Sequence, residues 1–202
     1  MNKIIFLNGC GSSGKTSIAR SIQHLSNESW LTFGIDTFIS MTPFPCKDKG
    51  DAGYFSFIPG KNDRGPMMRV ETGPKGDQLF GLMPDFENLL ATRGNNLIID
   101  EVLFGDIYLK SYIKTLQNHI VYFVGVFCEL PVMQEREILR RDRSIGLSND
   151  QVDRIHKGLR QYDLIVDTTN ASPFEVSKQI LAFLDEHPAP QGFLTMRKEL
   201  QS

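Results

Sequence analysis

No apolar run in the sequence approaches the roughly 20 residues that a membrane-spanning helix needs. The opening Ile4-Ile5-Phe6-Leu7 is also too short for the apolar stretch of a secretion signal. Cysteine is scarce: Cys10, Cys46 and Cys128 are odd in number and widely spaced, which excludes a disulfide framework and suits a reducing cytosol. The four histidines, His24, His119, His156 and His187, show no metal-ligand spacing with each other or with the cysteines. Neither sign of charge is in excess, with 22 Lys and Arg against 24 Asp and Glu and a net charge of -2. That balance argues against nucleic acid or an anionic membrane as the main partner, because both attract a basic excess. There is no internal repeat and no low-complexity tract. What is left, 202 residues with 41% hydrophobic and 23% charged, is the composition of one ordinary globular domain, and a cytoplasmic one is expected.

The stretch that organises the chain is KIIFLNGCGSSGKTS, residues 3–17. Its apolar start reads as a buried parallel strand, and Gly9-Cys10-Gly11-Ser12-Ser13-Gly14-Lys15-Thr16 then fits G-x-x-x-x-G-K-[ST], the phosphate-binding loop between a strand and a helix. Glycines let the backbone curl so that successive N–H groups point inward at phosphate oxygens. The helix predicted over residues 15–25 aims its positive end at the same anion. The binding set is therefore Gly9, Gly11, Ser12, Ser13, Gly14, Lys15, Thr16 and Ser17. Within it Lys15 reaches the outer phosphates and the Thr16 hydroxyl ligates a magnesium ion bridging them. The alternative is a glycine-rich turn that binds nothing. Cys10 sits inside this loop, where backbone amides would lower its thiol pKa and make it oxidation-sensitive; otherwise it is a small residue that the loop tolerates.

Further along, strands are expected over residues 30–35, 96–100, 119–128 and 164–167. Helices are expected over 76–92 with a kink at Pro84, over 106–118, from Pro131 to about 142, over 148–160 capped by Ser148-Asn149-Asp150, and over 173–186. A short helical turn covers 37–41. Residues 42–74 are rich in Pro and Gly, with one predicted hairpin pairing 54–58 with 67–70. So long a stretch with little regular structure is usually functional. The partition is a single domain over 1–187, with 42–74 as a variable insertion on the acceptor side, an arginine lid at 136–147, and a loose tail at 188–202. Alternating strands and helices give an α/β three-layer fold, a parallel sheet with helices on both faces, and ligands gather beyond the carboxyl ends of its strands.

Two carboxylates fall at those ends. Leu97-Ile98-Ile99-Asp100-Glu101 is an apolar strand closing on acid, the Walker B pattern, and Asp100 would hold magnesium. Glu101 is assigned no more than a contact with a neighbouring loop. Asp36 closes the second strand, where a carboxylate can accept a hydroxyl proton as the oxygen attacks a γ-phosphoryl group, or can simply cap a turn. Arg136, Arg140 and Arg143 share one helical face, suited to closing over a triphosphate, or to forming a solvated surface with i,i+4 pairs to glutamate.

Several stretches together resemble the chloramphenicol phosphotransferase family of P-loop kinases over residues 3–185. They are LNGCGSSGKT, Phe33-Gly34-Ile35-Asp36, Gly73-Pro74, LIIDEVLFG, VGVFCE, the arginine segment at 135–146 and Val166-Asp167-Thr168-Thr169. The resemblance implies a three-layer P-loop kinase fold whose five parallel strands run 2-3-1-4-5. It also implies ATP and Mg2+ as cofactors, and phosphoryl transfer to a hydroxyl of a small molecule, with Asp36 as base and Arg136 and Arg143 on the nucleotide phosphates. The phosphate loop departs from the family where Cys10 replaces a glycine, and residues 42–70 are longer and richer in aromatics. Phe44, Tyr54, Phe55, Phe57, Met67 and Met68 either line an apolar acceptor pocket or pack the hairpin onto the domain. The partners expected are ATP and a hydroxylated acceptor, with no nucleic acid, no membrane, and a homo-oligomer left open. Two other readings stand beside this one: a kinase of an endogenous sugar nucleotide or metabolite, as in toxin-like kinases, and a regulatory nucleotide-binding protein.

Overall fold

The computed structural model describes residues 2–43, 53–140 and 144–201. In chain order these form β1 (Lys3–Gly9), α1 (Lys15–Leu25), β2 (Trp30–Gly34), α2 (Ile35–Ser40), β3 (Phe55–Asn62), β4 (Gly65–Thr72), α3 (Pro74–Gly81) and α4 (Met83–Thr92). Then follow β5 (Asn96–Glu101), α5 (Ile107–Thr115), β6 (Ile120–Phe127), α6 (Leu130–Arg140), α7 (Leu147–Gln151), β7 (Leu164–Asp167), α8 (Pro173–Glu186) and α9 (Gly192–Glu199). Five strands make one parallel sheet in the order β2-β5-β1-β6-β7, while β3 and β4 pair only with each other. Counting only the strands of the parallel sheet, that order is the expected 2-3-1-4-5.

Period-two alternation of the strands divides the core in two. Ile4 and Phe6 of β1, Leu97 and Ile99 of β5 and Phe123 of β6 point to one face, against α4, α5 and α9. Ile5 and Leu7, Ile98, and Tyr122 and Val124 point to the other, against α1 and α8. Both rows are almost free of solvent, as expected of parallel strands covered on both sides. The α8 start shows why its bounds were readable. Pro173 sits in the first turn, the Ser172 hydroxyl accepts from Glu175 N at 3.3 Å, and Glu175 Oε2 accepts from Ser172 N at 2.8 Å, a complete capping box.

Four expectations need correction. The kinked helix over 76–92 is two helices broken at Leu82, with Pro84 in the first turn of α4, where its missing N–H removes no helical bond. The hairpin is longer than expected, eight residues on each side of a two-residue turn at Asp63-Arg64. That turn makes Asn62–Gly65 a hydrogen-bonded pair, so alternation puts Pro59 and Pro66 in non-bonded pairs where no N–H is needed. Ser148-Asn149-Asp150 do not cap a helix over 148–160. They lie inside the single turn of α7, buried, and the cap is Gly146 at φ 97, whose missing Cβ would stand 2.7 Å from the Pro66 carbonyl. The tail is not loose: α9 packs Phe193 and Met196 against Phe6, Phe123 and Ile113 in the core. No helix among the described residues is long and apolar enough to cross a membrane.

Candidate active site

The loop after β1 is locked from several sides. Gly9 lies against the Val126 carbonyl of β6, and Ser13 O accepts the Thr168 hydroxyl at 2.7 Å from the end of β7. Ser12 takes a left-handed φ of 62 and Gly14 one of 93, the curl that turns the loop into α1. The hydroxyls of Ser12 and Ser13 are buried and make no hydrogen bond with any described residue. Gly11 lies on the far side of the loop, its N–H donating to Gln151 Oε1 at 2.5 Å. Lys15 is 5% exposed; its ammonium donates to the carbonyls of Gly9 and Cys10 at 3.0 and 2.9 Å and lies 3.5 Å from Asp100 Oδ1. The Thr16 hydroxyl donates to Asp100 Oδ2 at 2.6 Å. These contacts follow from register, since β5 lies directly beside β1 and pairs Leu7 with Asp100.

On the other side of β5, β2 pairs Gly34 with Asp100. The approach is so close that a Cβ on Gly34 would sit 1.9 Å from the Asp100 carbonyl, which only glycine avoids. The chain then turns into α2 and places Asp36 in its first turn, above the same strand ends. Ser12, Gly14, Lys15, Thr16, Ser17, Asp36, Asp100 and Arg140 line one small cleft. A larger cavity of about 920 Å3 opens beside it, and Ile35, Asp36, Val102 and Arg140 form the wall common to both. The cavity is walled by Phe57, Phe80, Phe104, Met83 and Leu147, with Glu71, Tyr108 and Arg154 among its polar groups.

The predicted arginine face is divided by the structure. Arg136 reaches inward, donating to Thr168 O at 2.7 Å and lying 3.3 Å from both Thr168 Oγ1 and Cys128 Sγ. Arg140 stands at the wall between cleft and cavity. Arg143 lies outside the described residues, as do Phe44 and Cys46. Of the hairpin side chains, Phe57 lines the cavity, whereas Phe55 is buried against Phe80 at 5.0 Å and serves packing, with Tyr54 beside it. Of the two readings of Cys10, the structure favours the small residue that the loop tolerates: burial pushes its thiol up to about 11, against a reactive thiolate.

Two groups at the site were missed. Glu101 is buried on the cavity floor beside Glu87, and the Tyr112 hydroxyl lies 3.4 Å from Glu101 Oε1 and 3.5 Å from Glu87 Oε1. Desolvation first, and the charge of Asp100 second, push the Glu101 carboxyl up to about 8. Burial and the facing Glu101 raise Glu87 in the same direction. An acid directly after Asp100 was the available signal for Glu101; Glu87 sits in an ordinary amphipathic helix and carried none. Gln151, in a polar run that reads as a helix start, is the second.

Residues 2–185 match the family model described as chloramphenicol phosphotransferase-like protein. The chain belongs to that family. A Mycobacterium tuberculosis protein named "Putative O-phosphotransferase Rv2636" is 28% identical over 203 residues, covering 99% of this chain and 90% of the relative. Among solved structures, the Mycobacterium tuberculosis APS kinase CysC superposes with a TM-score of 0.60 at 12% identity, over 91% of this chain and 98% of that one. A gluconokinase from Sinorhizobium meliloti gives 0.58 at 13%, over 100% and 97%. The Deinococcus radiodurans tunicamycin resistance protein gives 0.58 at 19%, over 90% and 95%. At these identities the structural likeness establishes the fold, that of P-loop kinases.

Proposed function

We propose that the protein is an ATP-dependent phosphotransferase that moves the γ-phosphoryl group to a hydroxyl of a small molecule held in the 920 Å3 cavity. The observation that carries this reading is the shared wall: Asp36 and Arg140 face both the phosphate-loop cleft and the cavity. An alcohol in the cavity and a triphosphate in the cleft would meet there. Membership of the phosphotransferase-like family and the name of the mycobacterial relative support the reaction class. A protein that served only as a nucleotide switch would have no need of a second cavity opening on its phosphate loop.

In this reading the loop amides and Lys15 hold the phosphates, and Lys15 exchanges its loop carbonyls for phosphate oxygens. Asp36 takes the hydroxyl proton as the oxygen attacks phosphorus, and Arg136, Arg140 and Arg143 balance charge on the nucleotide side. Thr16 and Asp100 fit a magnesium ion: one hydroxyl and one carboxylate, both hard oxygen donors, 2.6 Å apart. Magnesium ordinarily keeps several waters, so the lack of a cluster of three or more His, Cys, Asp or Glu among the described residues is compatible with it. When bound, the ion would neutralise charge on the phosphate oxygens.

The test is γ-labelled ATP with a panel of hydroxylated antibiotics and metabolites, with mass analysis of any product. On the acceptor found, Asp36→Asn should lower transfer by about a thousandfold, the size of a lost general base, while Mg·ADP affinity stays within a few-fold. Transfer at the wild-type rate would remove Asp36 from the reaction.

A further inference from the structure

We propose that Gln151 is a positioning residue: its side-chain carbonyl fixes the phosphate loop at Gly11, and α7 behind it makes nucleotide affinity depend on how the β3–β4 hairpin is seated. The inference deepens the kinase reading and rests on it.

Ser148, Asn149, Asp150 and Gln151 are four consecutive polar residues, and all are at most 6% exposed. Burying such a run is unfavourable unless each member is bonded. Here the side chains of Asn149, Asp150 and Gln151 each bond to a different part of the molecule, while Ser148 is held through its backbone, its hydroxyl making no hydrogen bond with any described residue. Ser148 N and Gly146 N donate to the buried Glu137 carboxylate of α6 at 2.6 and 3.0 Å. Asn149 donates to Pro66 O at 2.5 Å and accepts from Gln134 at 2.8 Å. Asp150 accepts from Arg69 of β4 at 3.0 Å and from Arg154 at 2.5 Å. Met68 N donates to Gly146 O at 3.0 Å, a further tie between hairpin and α7. Gln151 completes the set, accepting the buried Gly11 N–H at 2.5 Å while also lining the large cavity.

The hairpin carries Phe57 and Val70 on the cavity wall, so an occupant of the cavity presses on an element whose anchor, α7, ends on the phosphate loop. One short helix cannot shift against the hairpin without disturbing the bond to Gly11. Linkage then requires the converse, with a phosphate loop ordered by nucleotide holding the hairpin in place.

The experiment titrates Mg·ADP calorimetrically into wild type, Gln151→Met and Arg69→Ala, and reads the Gly11 amide proton by NMR in each. Gln151→Met keeps length and removes the acceptor. Arg69→Ala removes one of the hairpin's ties to α7, at a side chain that is 45% exposed and lines neither the cleft nor the cavity. Kd should rise about tenfold for Gln151→Met, the cost of a buried donor losing its partner, and about threefold for Arg69→Ala. The Gly11 resonance should move upfield in both, which a role confined to global stability would not produce. An unchanged Kd and Gly11 shift in Arg69→Ala overturns the proposal, and this variant decides alone if Gln151→Met does not fold. Tighter binding by Gln151→Met overturns it too, because the side chain would then be obstructing the loop. Wild type that binds no Mg·ADP overturns the kinase reading and this inference together. Normal wild-type binding with neither variant responding overturns this inference alone.

Discussion

The two faces of the central sheet are built from different side chains and by different routes through the chain. Under α1 and α8 the core is mostly aliphatic, with Ile5, Leu7, Ile18, Ile22, Ile98 and Ile180, and Trp30 and Tyr122 as its buried rings. The opposite face is richer in rings, with Phe6, Phe38, Phe55, Phe80, Tyr112, Phe123 and Phe193 set among its aliphatic side chains. The aliphatic face is continuous with the phosphate loop, because α1 starts at Lys15 and Ile18 and Ile22 seat it directly. The aromatic face gathers α2, the hairpin, α3, α4, α5 and α9 from remote parts of the sequence, and the large cavity opens at its edge. In the proposed reading fifteen contiguous residues, 3–17, cradle the phosphate, which is the same ligand in every protein. An acceptor has individual shape, and its cavity needs walls from many segments that can each change alone.

The comparison can be broken first at α9. If the aromatic face is a collective structure, removing its contribution from the far end of the chain should loosen the whole. Phe193 is 4% exposed and lies 5.8 Å from the Phe6 ring and 5.5 Å from the Phe123 ring. Phe193→Ala should therefore cost about 3–5 kcal/mol in chemical denaturation. A loss below about 1 kcal/mol would make α9 an ornament on a core complete without it.

Next in size is the phosphate side. Lys15→Ala removes a charged donor from the cleft and should weaken Mg·ATP about a hundredfold by calorimetry, with little change in melting temperature. Unchanged ATP binding would mean that the loop carbonyls and Asp100, not phosphate, are what Lys15 serves.

What could be read from the sequence follows the same division. The phosphate loop, the Asp100 strand end and α8 were legible because strong local signals coincide there: an apolar strand, a glycine-rich turn, a capping box. Bringing Asp36 to the same place required the strand order, which the family resemblance supplied. The aromatic side hid its parts. Ser148-Asn149-Asp150 looks like a solvent-exposed helix start, since nothing local says that Arg69, Gln134 and Glu137 will bury it. Prolines at 188 and 190 suggested a loose tail, although Phe193, Met196 and Leu200 already lie at helical spacing. Glu87 and Glu101 meet only after α4 folds over β5, and no local pattern announces a pair of carboxyls in a core.

That pair yields the smallest effect and the one that separates the faces most sharply, because Glu87 and Glu101 belong to the aromatic side. Burial raises both carboxyls, Glu101 to about 8, whereas an unfolded glutamate titrates near 4.3, a value of about four. The folded state thus holds protons that the unfolded state has released between these limits. Stability should fall as pH rises from about 4 to about 8, the sign opposite to that of a salt-bridged carboxylate. Glu101→Gln is neutral throughout, keeps an acceptor for Tyr112 and relieves Glu87 of a facing charge. Urea midpoints at pH 5 and pH 8 should differ less in the variant than in wild type, with the gain appearing at pH 8. Equal differences would mean that the two acids shed their protons without cost, and that the aromatic face is wetter at its centre than the 3% exposure of Glu101 indicates.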